Sequence, residues 1–369
     1  MGGLSATLTP AGLAKTNYVP EIYTNRWNRV SQFTTANMPE DISYYYPGAF
    51  VLPVGDKAGK IFYSTTALKP YPTYHLEGIA QIFDPFDPEA ETGHFWTPVG
   101  GPITPKETAT AVLLPIRATN PKSKVLVAGG WWVNPLSTVD IIDLTTFSPN
   151  PLWTGVPPLT YARYHHNAVL LPDRSLFIVG GNTIGVSQGS VLIPELLDTD
   201  TLTWFPRSLP SMPVARNYHS TALLLPNGKV FVAGGRVSNS GDVEDDTERR
   251  ISLFKPGYLL DGEQPRIDTE LDEIIYGNEY RISVSNANSL DSIALLKTVS
   301  TTHGNDMSQR YIELSFTPDQ QEYKFTAPAN SFIAPPGYYM LFVLKHKSES
   351  ISGNSRIPSN AIFVKLKFS

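Results

Sequence analysis

Apolar residues come along this chain in short runs, each broken by a turn, and the breaks themselves repeat. "RNYHSTALLLPNGKVFVAGG", Arg216 to Gly235, sets the form. Within it Ala222 to Val230 reads as a strand, a Pro-Asn-Gly turn and the start of a second strand. "YARYHHNAVLLPDRSLFIVGG" (Tyr161 to Gly181) and "TATAVLLPIRATNPKSKVLVAGG" (Thr108 to Gly130) follow the same plan, and "YYPGAFVLPVGDKAGKIFYSTT" (Tyr45 to Thr66) is a looser copy. A hairpin of this kind has no need of the Tyr-His pair that stands at the mouth of the first one, Tyr218 and His219.

The second glycines of the diglycines fall at 130, 181 and 235, spacings of 51 and 54 residues. A period near 50 with a diglycine is the signature of a kelch-type β-propeller, whose blades are four-stranded sheets. The glycines let the chain bend where a side chain would meet the neighbouring blade. A Trp stands 23 residues after two of these diglycines, Gly130 to Trp153 and Gly181 to Trp204, and is expected to pack between blades. Gly3 to Trp27 is 24 residues, so the chain reads as starting on a diglycine, Gly2-Gly3, with the first two strands of that blade absent. The expected propeller is therefore incomplete, half a blade followed by four, over residues 1–260. Such an arc leaves unpaired strand edges and calls for a partner or an upstream segment to complete it.

After Gly262 the period stops. "EYRISVSN", "DSIALLKTVS", "QRYIELSF", "EYKFTAP", "GYYMLFVLK" and "NAIFVKLKF" are short strands between turn residues. With "PRID" they make about seven strands over residues 261–369, the count of an immunoglobulin-like sandwich. No long helical period is present, and the chain reads as all-β.

Composition agrees. Of 369 residues only 17% are charged, 11% are aromatic, and Gly and Pro together number 59 (27 and 32). The net charge of −5 is spread out with no basic stripe, which argues against a nucleic-acid partner. No apolar run is long enough for a transmembrane helix, and "MGGLSATLTP" shows no signal peptide, so location stays open. Cysteine is absent, which removes disulfides, thiolate metal sites and a cysteine nucleophile.

Three places carry candidate chemistry. Tyr218-His219 begins an innermost strand and would face the axial channel. Tyr164-His165-His166 stands at the matching place one blade earlier. His303 lies in the polar loop "STTHGNDMSQR" of the second region. Imidazoles and a phenolate suit copper, and imidazoles suit zinc or iron. His165 and His166 read as structural, because neighbours in a strand point to opposite faces. The acidic run Asp242 to Asp246 with Glu248 lacks the spacing of a calcium loop and reads as an exposed linker.

Four segments in order, "RNYHSTALLLPNGKVFVAGG", "LFKPGYLLDGEQPRI", "TTHGNDMSQRYIEL" and "APPGYYMLFVL", resemble the C-terminal part of the galactose oxidase and glyoxal oxidase family. The resemblance implies a kelch propeller followed by an immunoglobulin-like early-set domain. It also implies copper and the oxidation of primary alcohols or aldehydes, or of carbohydrates, by O₂ with release of hydrogen peroxide. Members are typically secreted. In that family the matching positions make Tyr218 the axial tyrosine and general base, and Tyr218, His219 and His303 the copper ligands. The resemblance also implies a second tyrosine cross-linked to a cysteine as a radical cofactor. This chain has no Cys, and neither Tyr18 nor Tyr44 to Tyr46 occupies the motif of that tyrosine, so the radical half-site is expected to be absent. The readings that follow are an oxidase-lineage segment inactive by itself, a glycan- or protein-binding propeller and sandwich, or a shorter closed propeller with other metal chemistry.

Overall fold

The computed structural model describes residues 48–64, 80–84, 96–104, 106–148, 150–206, 208–237, 247–320, 322–346 and 356–369. It also describes the backbone of four N-terminal strands, Leu4–Leu8, Ala14–Thr16, Glu21–Tyr23 and Trp27–Arg29. The expectations for Gly2-Gly3, Tyr18, Tyr44 to Tyr46 and Asp242 to Asp246 fall outside these residues.

The chain is all-β; among the described residues the helical element is a single 3-10 turn, Gly257–Leu259. Four antiparallel sheets follow one another. Three are four-stranded, spanning Ala49 to Gly100, Thr110 to Val156 and Asn167 to Trp204, and the next has three strands between Ser220 and Phe254. Upstream, Glu21–Tyr23 pairs with Trp27–Arg29 as a separate hairpin. The opening hairpin forms with Ser220 opposite Gly234 and Leu224 opposite Val230.

The Trp residues pack between consecutive sheets. Trp153 lies 6.3 Å from Phe62 (ring centroids) and its indole N–H donates to the Gly100 carbonyl at 3.2 Å. The Trp204 N–H donates to the Pro157 carbonyl at 2.7 Å. The diglycines touch the next sheet's backbone. A Cβ on Gly180 would lie 2.3 Å from the Arg216 carbonyl oxygen, and one on Gly129 would lie 2.5 Å from that of Arg163. Both glycines have positive φ, 72° and 59°.

The last three of these sheets each bury a cation as well. Lys106 and Arg163 stand nine residues before Pro115 and Pro172, Arg216 stands ten before Pro226, and all three are 1% exposed or less. Lys106 pairs with Asp140 at 3.2 Å and Arg163 with Glu195 at 2.7 Å; Glu248 sits near Arg216. Arg163 also donates to the Gly180 and Ile193 carbonyls, tying two strands of one sheet together.

Residues 264–369 form two facing sheets. One has four strands (Arg266–Ile267, Glu279–Ser285, Glu322–Thr326, Phe316–Asp319) and the other six, centred on Ser292–Lys297 and Gly337–His346. This is more strands than the seven read from the sequence. The difference comes from the three- and four-residue strands Glu273–Ile275, Phe316–Asp319 and Arg356–Pro358, too short to show a period.

The six-stranded sheet has no solvent face at its centre. Ile293, Leu295, Leu341 and Val343 point into the sandwich core. Ala294, Leu296, Met340, Phe342 and Leu344 point the other way, into a core shared with Val169, Phe177, Ala222 and Val232 of the preceding sheets. An ion cluster closes the rim of that junction: buried Arg174 meets Glu313 at 2.5 Å and Asp291 at 3.4 Å, and Arg356 meets Asp291 at 3.2 Å.

Candidate metal centre

Where the inner strands meet the second region, three imidazoles and a phenol are gathered. Each arrives by a local backbone device. Thr108, His165 and His219 stand seven residues before Pro115, Pro172 and Pro226 and all have positive φ, 50°, 57° and 64°. At His219 the turn is explicit: the Ser220 N–H donates to the Asn217 carbonyl at 3.0 Å across Tyr218 and His219. A positive φ at the third position is the pattern of a type II turn. Tyr218 is fixed by its carbonyl, which accepts the Arg236 N–H at 2.8 Å.

His303 comes from the other direction. Thr301–Thr302 and Asn305–Asp306 pair as a minimal hairpin, with His303 and Gly304 at its tip and φ values of 52° and 82°. Two consecutive positive φ values are those of a type I′ turn, here with His in the place usually held by Asn. Gly304 is required by contact as well, since a Cβ there would lie 2.3 Å from the His166 carbonyl oxygen. The loop is stitched to the innermost strand Thr110–Leu113: Asn305 Oδ1 accepts the Ala111 N–H at 3.3 Å and Gln309 Oε1 that of Leu113 at 2.7 Å.

These devices bring His219 Nε2 and His303 Nε2 to 3.0 Å of each other, 84 residues apart in sequence. The Tyr218 ring stacks on His219 with centroids 3.9 Å apart and lies 5.6 Å from His303. Thr302 Oγ1 is 2.8 Å from His303 Nδ1 and holds that ring's other side. The Arg236 guanidinium is 5.8 Å from the Tyr218 ring centroid. Desolvation lowers the pKa of both imidazoles; Arg236 adds to this at His219, and His219 adds to it at His303. Both are thus biased to the neutral form that can donate a lone pair to a metal.

Of the residues singled out in the sequence, Tyr218, His219 and His303 are together. His165 is also here: its ring lies 4.6 Å from that of Tyr218. Its Nδ1 is 3.2 Å from Asn182 Oδ1, and Asn182 is oriented by donating to the Ile184 and Gly185 carbonyls. That network places the proton on Nδ1 and leaves Nε2 as the acceptor. His166 is buried as expected. Sequence reasoning also passed over Arg236, Asn182 and Thr302; the first two directly follow a diglycine, and that fixed position was the available signal.

Two donors about 2 Å from a common ion at right angles would be about 2.8 Å apart. The 3.0 Å separation of the two Nε2 atoms fits that arrangement. Among the described residues no group of three His, Cys, Asp or Glu side chains is placed to hold a metal, so a third donor from those residues must be of another type, such as the phenol of Tyr218.

The site thus joins an imidazole from the repeated sheets to one delivered by a hairpin of the sandwich region. Residues 264–366 match the galactose oxidase-like early set domain. The chain is 34% identical over 209 residues to galactose oxidase of Gibberella zeae, covering 53% of this chain and 29% of that protein. It is 31% identical over 246 residues to aldehyde oxidase GLOX of Vitis pseudoreticulata, covering 59% and 44%. It is 32% identical over 272 residues to a WSC domain-containing protein of Arthroderma benhamiae, covering 70% and 28%. The chain thus spans less than half the length of these relatives. Its fold is similar to that of a fungal alcohol oxidase with catalytic diversity among the AA5 family, in complex with copper: TM-score 0.64, 20% identity, covering 88% of this chain and 76% of that one. The match of residues 264–366 and the likeness to galactose oxidase and aldehyde oxidase GLOX support placing the chain in the galactose oxidase and glyoxal oxidase family.

Proposed function

We propose that this chain is the copper-holding part of an oxidase of this family, and that alone it binds copper without turning over alcohols or aldehydes. The observation that carries the reading is the meeting of His219 Nε2 and His303 Nε2 at 3.0 Å from two separately folded segments. His219, His303 and Tyr218 would hold the ion; two imidazoles and a phenol suit Cu(II). When bound, copper supplies a one-electron acceptor and a Lewis acid to a coordinated hydroxyl.

The chain's own groups set the protons. Thr302 at His303 Nδ1 fixes that ring's orientation, and burial together with Arg236 keeps the His219 imidazole neutral. As a phenolate, Tyr218 would be the residue to accept the proton of a substrate hydroxyl, becoming the phenol, and the Arg236 guanidinium beside its ring would favour the phenolate before that transfer. Removing two electrons from an alcohol needs a second acceptor. The family's cysteine-linked tyrosine cannot form within this chain, which contains no Cys.

The test has two readouts. Isothermal titration of Cu(II) into the purified chain should give one site, and His219→Ala or His303→Ala should weaken it by more than about a hundredfold, since loss of supporting partners alone reaches 10–100-fold. Equal affinity in wild type and both variants would overturn the copper site. The copper-loaded chain should release no more hydrogen peroxide from primary alcohols or aldehydes than His303→Ala does. Peroxide release that depends on copper and is lost in Tyr218→Phe would overturn the claim of inactivity.

A further inference from the structure

Beneath the hairpin that carries His303 lies a cavity of about 30 Å³, between the inner strands of the repeated sheets and the six-stranded sheet. Its wall is largely apolar, with Leu170, Leu224, Leu296 and Met340, yet two cations reach it, Lys297 and Arg310. Arg310 is 5% exposed. Its Nη2 donates to the Val51 carbonyl at 3.0 Å, while Nε and Nη1 have no protein hydrogen-bond partner. Lys297 Nζ donates to the Pro335 and Pro336 carbonyls at 3.0 and 2.8 Å and lies 4.8 Å from the Tyr339 ring centroid.

Among the described residues no carboxylate pairs with either cation. Burial brings the Arg310 pKa down to about 10, and burial followed by repulsion from Arg310 lowers that of Lys297. The acid on the cavity wall, Asp306, is committed elsewhere: its Oδ1 accepts the N–H groups of Ser300 and Ser308 at 2.9 and 3.0 Å. A guanidinium taken out of water without a counter-charge and with two free N–H groups is strongly unfavourable.

We propose that this cavity is a binding site for a monatomic anion of the halide class, held by Nε and Nη1 of Arg310 with Lys297 as the second positive charge. A single water needs about 10–15 Å³, so the cavity has room for a small guest, and its largely apolar wall suits a weakly hydrated halide better than a strongly hydrated oxyanion. The anion also bears on the hairpin above it, because Thr301 and Asp306, on either side of His303, line the same cavity. The site stands independently of the copper reading.

The experiment compares thermal unfolding of the full chain in sodium bromide and in sodium sulfate at matched ionic strength, for wild type and Arg310→Met. Bromide should raise the wild-type midpoint by about 2 °C or more beyond sulfate, with saturation, and the difference should vanish in Arg310→Met. Coincident wild-type curves in the two salts, or an undiminished bromide effect in the variant, would overturn the proposal. Should Arg310→Met fail to fold, crystals of the wild-type chain soaked in bromide decide the matter. An anomalous peak within hydrogen-bonding distance of Arg310 Nε is expected, and its absence defeats the assignment.

Discussion

His166 gives the sharpest test of how the core handles charge. Its ring is fully buried, neither nitrogen has a protein hydrogen-bond partner, and its Cε1 lies 2.8 Å from where a Cβ on Gly129 would be. Desolvation, with Arg163, His165 and Lys106 contributing in that order, brings its pKa from 6.5 to about 3. The folded state therefore excludes a proton that the unfolded state accepts. The sign follows: stability is complete above pH 6.5, falls as the pH drops from there toward 3, and levels off below. Integration between those two values gives a loss of about 2 kcal/mol at pH 5 and about 3 kcal/mol at pH 4 from this residue alone. Other groups titrate in the same range, so the informative quantity is a difference of differences. Urea unfolding of wild type and His166→Leu at pH 7 and pH 5 should show the variant losing about 2 kcal/mol less than wild type over that step. Parallel pH dependence in the two proteins would refute the reasoning, whatever their relative stability at pH 7.

Arg163→Met should cost about 3–5 kcal/mol by stranding the Glu195 carboxylate, whereas Arg281→Met, whose side chain is 59% exposed in its pair with Asp319, should leave the midpoint of the same urea titration nearly unchanged. Gly304→Ala removes no ligand, yet its Cβ collides with the His166 carbonyl and its φ is 82°, so copper affinity should fall at least about tenfold by titration calorimetry. Gly180→Ala should lower the unfolding midpoint measurably, since the added carbon sits 2.3 Å from the Arg216 carbonyl oxygen; an unchanged midpoint would mean that the contact between sheets is looser than drawn.

Much of this was legible in the sequence, for identifiable reasons. The strands of each repeat and the spacing to Trp153 and Trp204 are set by local pattern, so they could be read directly. Tyr218, His219 and His303 could be named from motifs that resemble a known family. The place of His165 beside Tyr218 is not legible from strand alternation, because a φ of 57° breaks the strand at that residue and turns the ring toward Tyr218. The buried cations Lys106, Arg163 and Arg216 stand nine or ten residues before a proline, but their acidic partners lie 32 to 34 residues further on, at Asp140, Glu195 and Glu248, too far for a local pattern to join them. The two-residue turn His303–Gly304 was visible as a residue-glycine pair, yet the polar setting masked it as a plain loop.

The sheet built on Ser292–Lys297 and Gly337–His346 bears on how such proteins are assembled from parts. A surface that serves as interior on both sides cannot be lent to a different neighbour without remaking one of them. The alternation of Ile293 with Ala294 and of Leu295 with Leu296 writes two cores into one strand, each answerable to a different half of the chain. Substitutions in that strand are thus constrained from two directions at once. Excising residues 264–366 would leave Ala294, Leu296, Met340 and Phe342 facing water. A recombination event that moved the sandwich alone would carry off an adhesive surface, so the halves are expected to travel through evolution as one inherited piece.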